Sequence, residues 1–125
     1  MDKKYFQSMV GSIFEVLLLN PPALMAWGVT GFKAVEFNRM PALEFTVNGF
    51  LHQGKVVIAY NGGADLYEVY CLGKDNQLVN SQTGVYFDEL TDVIDRMVEK
   101  DCSDAEYARK VGDWLETTPE ESDAA

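Results

Sequence analysis

The stretch Leu43-Glu-Phe-Thr-Val-Asn-Gly-Phe-Leu-His-Gln-Gly-Lys-Val-Val-Ile-Ala-Tyr-Asn-Gly-Gly-Ala-Asp-Leu-Tyr-Glu-Val-Tyr-Cys-Leu72 decides the fold of this 125-residue chain. In its first run Leu43, Phe45, Val47 and Leu51 fall on one face and Glu44, Thr46 and Asn48 on the other, the alternation of a half-buried strand. Lys55–Tyr60 puts Val56, Ile58 and Tyr60 on one face and Val57 and Ala59 on the opposite one. Leu66–Leu72 sets Tyr67, Val69 and Cys71 against Leu66, Glu68, Tyr70 and Leu72. His52-Gln53-Gly54 and Asn61-Gly62-Gly63 separate the runs, and the second cluster reads as a tight hairpin because Asn and Gly tolerate positive φ. Strands joined by short turns make an antiparallel meander.

The flanks extend this frame. Upstream, Val29, Phe32, Val35 and Phe37 mark a strand over Gly28–Phe37, turned by Asn38-Arg39-Met40-Pro41. From Asp2 to Leu19, Phe6, Val10, Ile13, Phe14 and Leu17 recur at helical spacing, with Tyr5, Met9 and Val16 widening the face. Asn20-Pro21-Pro22 stops that helix. Ala23–Trp27 is compatible with another helical turn or with entry into the first strand. Downstream, Gly73-Lys74-Asp75-Asn76 turns the chain and Gln77–Asn80 adds a short edge strand. The period then becomes helical: Phe87, Leu90, Ile94, Met97 and Val98 share a stripe over about Tyr86–Lys100. Ser103-Asp104-Ala105-Glu106 has capping-box spacing ahead of a second helix with Ala108, Val111, Trp114 and Leu115 as its stripe. Residues 116–125 carry no apolar face and read as a solvated, disordered acidic tail. The expectation is one α+β domain over 1–115: an N-terminal helix, a four- to five-stranded antiparallel meander, and two C-terminal helices packed on the sheet. Helix-then-meander order resembles cystatin-like folds and small acidic secretion chaperones, a likeness of element order that transmits no function.

Acidity is concentrated in the second half. Residues 1–60 hold four Asp/Glu against five Lys/Arg, and residues 61–125 hold sixteen against five. Asp88, Asp92, Asp95 and Glu99 step by four, three and four, which aligns four carboxylates along the helix after Tyr86. Arg96 is placed to pair with Asp92. A solvated face is the ordinary reading of such a row, and docking on a basic protein partner is the functional one. Direct nucleic-acid binding is disfavoured, because the ten Lys/Arg are scattered and only Lys3-Lys4 and Arg109-Lys110 are adjacent.

Other chemistry has weaker support. Asp101, Asp104 and Glu106 surround a turn without the glycine-centred spacing of a calcium loop, so no metal site is assigned. Gly62-Gly63 and Gly28-Val-Thr-Gly31 lack the lysine-serine ending of a phosphate loop, and no cofactor is expected. His52, the single histidine, falls in a turn and reads as an exposed polar residue; pairing with Cys71 is the sharpest enzymatic hypothesis, against the ordinary inertness of buried cysteines. Trp27, Phe32, Tyr60, Tyr67 and Tyr70 would line a pocket if the sheet curls around the first helix, the alternative to simple core packing. Two cysteines, Cys71 and Cys102, suit a reducing compartment. Gln7, Ser8, Gly11, Ser12 and Glu15 interrupt the stretch after Lys3-Lys4, so it reads as a globular helix and not a signal segment. A cytoplasmic location without membrane association is the expectation.

The runs Leu43–Gly54 and Val85–Glu99 resemble those of a group of small uncharacterised bacterial proteins associated with mobile genetic elements. The resemblance implies a bacterial cytoplasm and an accessory role, and brings no site residue with it. The leading reading is a non-enzymatic acidic protein that binds or modulates a basic partner through its C-terminal helical face. The alternative is a small-ligand-binding or enzymatic domain with the aromatic pocket. Homodimerisation through the Gln77–Asn80 edge is a third possibility, since little there blocks pairing.

Overall fold

The computed structural model describes residues 1–99. Helix α1 (Lys3–Leu18) starts at Asp2, whose carboxylate accepts the Tyr5 amide at 3.0 Å. Its core positions are Val10, Ile13 and Leu17. The proline pair ends α1 as expected, and it also begins a second helix. In α2 (Pro21–Trp27) Asn20 is the N-cap, and the prolines occupy the first two positions, where a missing amide donor costs nothing. Gly28, at φ 63°, closes α2 in left-handed geometry. Ala23–Trp27 is therefore helical.

Strands β1 (Thr30–Phe37), β2 (Met40–Asn48), β3 (Gln53–Asn61), β4 (Leu66–Leu72) and β5 (Leu78–Val85) form one antiparallel sheet in sequential order. Asn38 and Arg39, both at positive φ, make the two-residue turn between β1 and β2. The turn after β3 differs from the sequence expectation. Gly62 and Gly63 do not take positive φ; Asp65 does, at 56°, while the Asn61 side chain holds the Ala64 amide at 3.2 Å. The last strand runs through Val85 and not Asn80, with only Val85 buried. β1 slips register between Thr30 and Lys33, and β5 does so against Tyr67/Val69 and Cys71/Leu72. Irregularities of this kind twist an edge away from a neighbouring strand, so both edges are less open to pairing than their composition implies.

A 3₁₀ turn (Phe87–Glu89) precedes α3 (Leu90–Val98). The three helices and one sheet face enclose a core that includes Ile13, Leu17, Trp27, Phe45, Ile58 and Ile94. The opposite face carries a smaller cluster: Ala42, Val57, Ala59 and Leu72, with Val35, Phe37, Met40 and Tyr70 against it. No single helix among the described residues is long and apolar enough to cross a membrane; α1 and α2 would suffice together but are bent by 92°. The second C-terminal helix, the tail, Cys102 and the Asp101/Asp104/Glu106 cluster lie outside the described residues.

Candidate functional site

The β2–β3 loop is tied to the end of α3, and that junction fixes the acidic row. The Leu51 and His52 amides donate to the Val98 carbonyl at 2.7 and 3.2 Å, satisfying a helix-end acceptor. Phe50 donates its amide to Glu99 Oε1 at 3.0 Å, and Gln53 Nε2 donates to the Gly49 carbonyl. Gly49 is required by proximity: a Cβ there would stand 2.4 Å from Val98 Cγ1 and 2.5 Å from the Val98 carbonyl oxygen.

Of the four carboxylates singled out from sequence, two therefore have structural work inside the molecule. Asp95 Oδ1 accepts the indole N–H of Trp27 at 3.0 Å, and Trp27 is fully buried, 0% exposed. Glu99 holds the Phe50 amide. Asp88 and Asp92 remain exposed on the solvent side. Arg96 forms no ion pair with Asp92 or with any other described carboxylate. Sequence spacing treated the four as one helical line, whereas Asp88 lies in the turn ahead of α3 and Asp95 meets Trp27, 68 residues away along the chain.

Next to Asp88 stand two aromatic side chains, Tyr86 at 59% exposure and Phe87 at 62%. Phe87 was expected on the buried stripe. Phe87 lies ahead of α3, which begins at Leu90, in a turn that leaves its ring exposed while Leu90 is buried. The register pair Tyr67↔Val85 brings Tyr86 and Phe87 beside the start of β4. There a cleft of about 420 Å³ is lined by Asp65, Tyr67, Tyr86 and Phe87 together with Ala64 and Leu66. Asp65 Oδ1 accepts the Tyr60 hydroxyl at 2.6 Å, and this bond holds the phenol up at about 12. Burial, then the Asp65 charge, raises Tyr67 as well.

The five aromatics proposed from sequence do not share one pocket. Trp27 is core. Phe32 packs on Phe14 and Phe45, with ring centroids 4.9 and 5.3 Å away, beside a mostly apolar groove of about 320 Å³ between α1 and the first strands. Tyr60 and Tyr67 are neighbours at 5.3 Å. Tyr70 is on the far sheet face, tilted against Phe37 with ring centroids 4.7 Å apart and donating its hydroxyl to Glu68.

His52 is buried, 7% exposed, contrary to its expected exposure. The loop-to-α3 bonds pull it inward, and its Nε2 donates to the Lys55 carbonyl at 3.1 Å. His52, Cys71, Asn80 and Arg96 line one cavity of about 290 Å³, so the sequence-distant histidine and cysteine do reach a common space. Burial lifts the Cys71 thiol to about 11, the opposite of nucleophile activation. Among the described residues no three His, Cys, Asp or Glu side chains are grouped to hold a metal ion.

The chain matches no family model, no curated protein and no solved structure.

Proposed function

We propose that this protein is a non-enzymatic binding protein that docks on a basic partner through the start of α3, with Asp88 and Asp92 as charged contacts and Tyr86 and Phe87 as apolar ones. The observation that carries the reading is the exposure of two adjacent aromatic side chains beside two exposed carboxylates. Aromatics are enriched where protein surfaces meet, and a one-sided charge excess steers an oppositely charged partner. The concentration of Asp/Glu after residue 60 supplies that field. Asp95 and Glu99 belong to the support of this face.

The test is recovery of partners on the immobilised protein at about 50 and 500 mM salt, spanning weak to strong screening, beside Asp88→Asn/Asp92→Asn and Tyr86→Ser/Phe87→Ser variants. A basic protein retained by wild type at low salt and lost from both variants supports the reading. Equal recovery on all three baits refutes it. A second reading, a small-ligand or enzymatic site, is favoured by the His52–Cys71–Asn80–Arg96 cavity rather than by an aromatic pocket. Ligand-dependent shifts at His52 with no dependence on Asp88 or Asp92 would favour it over docking.

A further inference from the structure

We infer that the cleft formed by Asp65, Tyr67, Tyr86 and Phe87 is a receptor for one arginine side chain of the basic partner; this deepens, and rests on, the docking reading above. Three aromatic residues and one carboxylate line a space of about 420 Å³, and among the described residues no basic side chain lines it. The sequence has no Lys or Arg from residue 56 to 73, nor from 75 to 95, so neither flank supplies an internal cation. Ring faces attract a cation through their quadrupole, and a planar guanidinium also stacks on them. Asp65 is exposed, and only its Oδ1 is engaged, by Tyr60. Its Oδ2 is therefore open to a guanidinium N–H, a charge-assisted bond. A lysine ammonium would gain the charge but not the stacking plane, and it loses more hydration on entering such a cleft.

The backbone is built to present this carboxylate. Asp65 sits at φ 56°, a conformation that Asp and Asn tolerate better than other side chains, and the Tyr60 hydroxyl fixes one oxygen. Tyr86 and Phe87 are held by reciprocal bonds of the 3₁₀ turn: Glu89 donates its amide to the Tyr86 carbonyl at 2.9 Å, and the Tyr86 amide donates to Glu89 Oε1 at 3.4 Å.

The test uses three heptapeptides, Gly-Lys-Ser-X-Ser-Lys-Gly with X as arginine, lysine or citrulline, titrated into the isotopically labelled full chain at low salt. The arginine peptide is expected to bind roughly three- to tenfold tighter than the citrulline peptide, the range of a partly exposed cation–aromatic contact, and tighter than the lysine peptide. Its shifts should centre on residues 64–67 and 86–87. Phe87→Ala and Asp65→Asn should each bring the arginine peptide toward the citrulline level. Both are conservative for folding, since Phe87 is largely exposed and Asn accepts positive φ; matching urea midpoints check this. Asp88→Asn/Asp92→Asn should weaken all three peptides alike. Equal binding of the three peptides, unaffected by Phe87→Ala but weakened by Asp88→Asn/Asp92→Asn, overturns the arginine receptor and leaves the docking reading standing. No binding by any peptide at low salt overturns both.

Discussion

Replacing Asp95 separates a structural carboxylate from a docking one. Its Oδ1 is the acceptor for the indole N–H of a fully buried tryptophan, at 3.0 Å. A hydrogen bond to a charged group contributes about 1.5–3 kcal/mol, and a buried donor left without an acceptor costs about 1–3 kcal/mol. Asp95 is itself only half-buried, so water can reach the vacated position and the lower half of that range applies. Alanine is the better helix former by about 0.6 kcal/mol. The net expectation for Asp95→Ala is a loss of about 1–2 kcal/mol, while Asp95→Asn, which keeps an oxygen in place, loses about 0.5–1 kcal/mol. Urea unfolding followed by tryptophan fluorescence and by far-ultraviolet dichroism reads this directly. A cycle with Trp27→Phe should show coupling of about 1 kcal/mol, because each change removes the same bond. If Asp95→Ala unfolds within about 0.3 kcal/mol of wild type with no coupling to Trp27→Phe, the bond contributes nothing, and Asp95 returns to the set of carboxylates free to meet a partner.

Three further outcomes follow from the same packing. Gly49→Ala should destabilise by about 1–3 kcal/mol in urea, as overpacking does, because its Cβ meets Val98 at 2.4 Å; an unchanged midpoint would mean that the loop does not sit against α3. Gly11→Ala, exposed within α1 and with no atom within 4 Å of the added carbon, should stabilise by about 0.5–1 kcal/mol on helix propensity alone, and a loss on thermal melting would contradict the open surface there. Cys71 has a folded value of about 11 against an ordinary 9.0, so the unfolded chain releases this proton first as pH rises. Its contribution is fully present below about pH 9 and is lost toward pH 11. Stability measured across that window should fall less steeply in Cys71→Ala than in wild type, and alkylation at Cys71, followed in a Cys102→Ala background at pH 8, should be slow until denaturant is added; parallel pH profiles would refute the burial assigned to it.

The sheet centre was legible because burial on one face imposes a period of two, and Leu43, Phe45, Ile58, Val69 and Cys71 all obey it. Its edge was not. Leu78–Val85 leaves seven of its eight residues exposed, so no face demanded apolar side chains and only the first few residues looked like a strand. α2 escaped a firm reading because seven residues hold too few turns for a helical period, although Asn20 followed by two prolines is a usable start signal. The Asn61 turn misled because glycine permits positive φ without requiring it, and Asp65 takes that conformation instead. At the candidate site, helical spacing picked out Asp88, Asp92, Asp95 and Glu99 from one segment but did not show that Asp88 falls in the turn ahead of α3. Which of them turn inward depends on Trp27 and Phe50, brought there by tertiary packing. The Asp65 cleft likewise depends on the β4–β5 register, which no local pattern encodes.

The most direct test of the docking face is calorimetric titration of an arginine-rich peptide at several salt concentrations, into wild type and into Asp88→Asn/Asp92→Asn. Wild-type affinity should fall steeply with salt, and the variant should bind more weakly with a shallower salt slope, since two exposed carboxylates no longer take part. Identical affinities and slopes for the two proteins would contradict a role for the start of α3 in binding a basic partner.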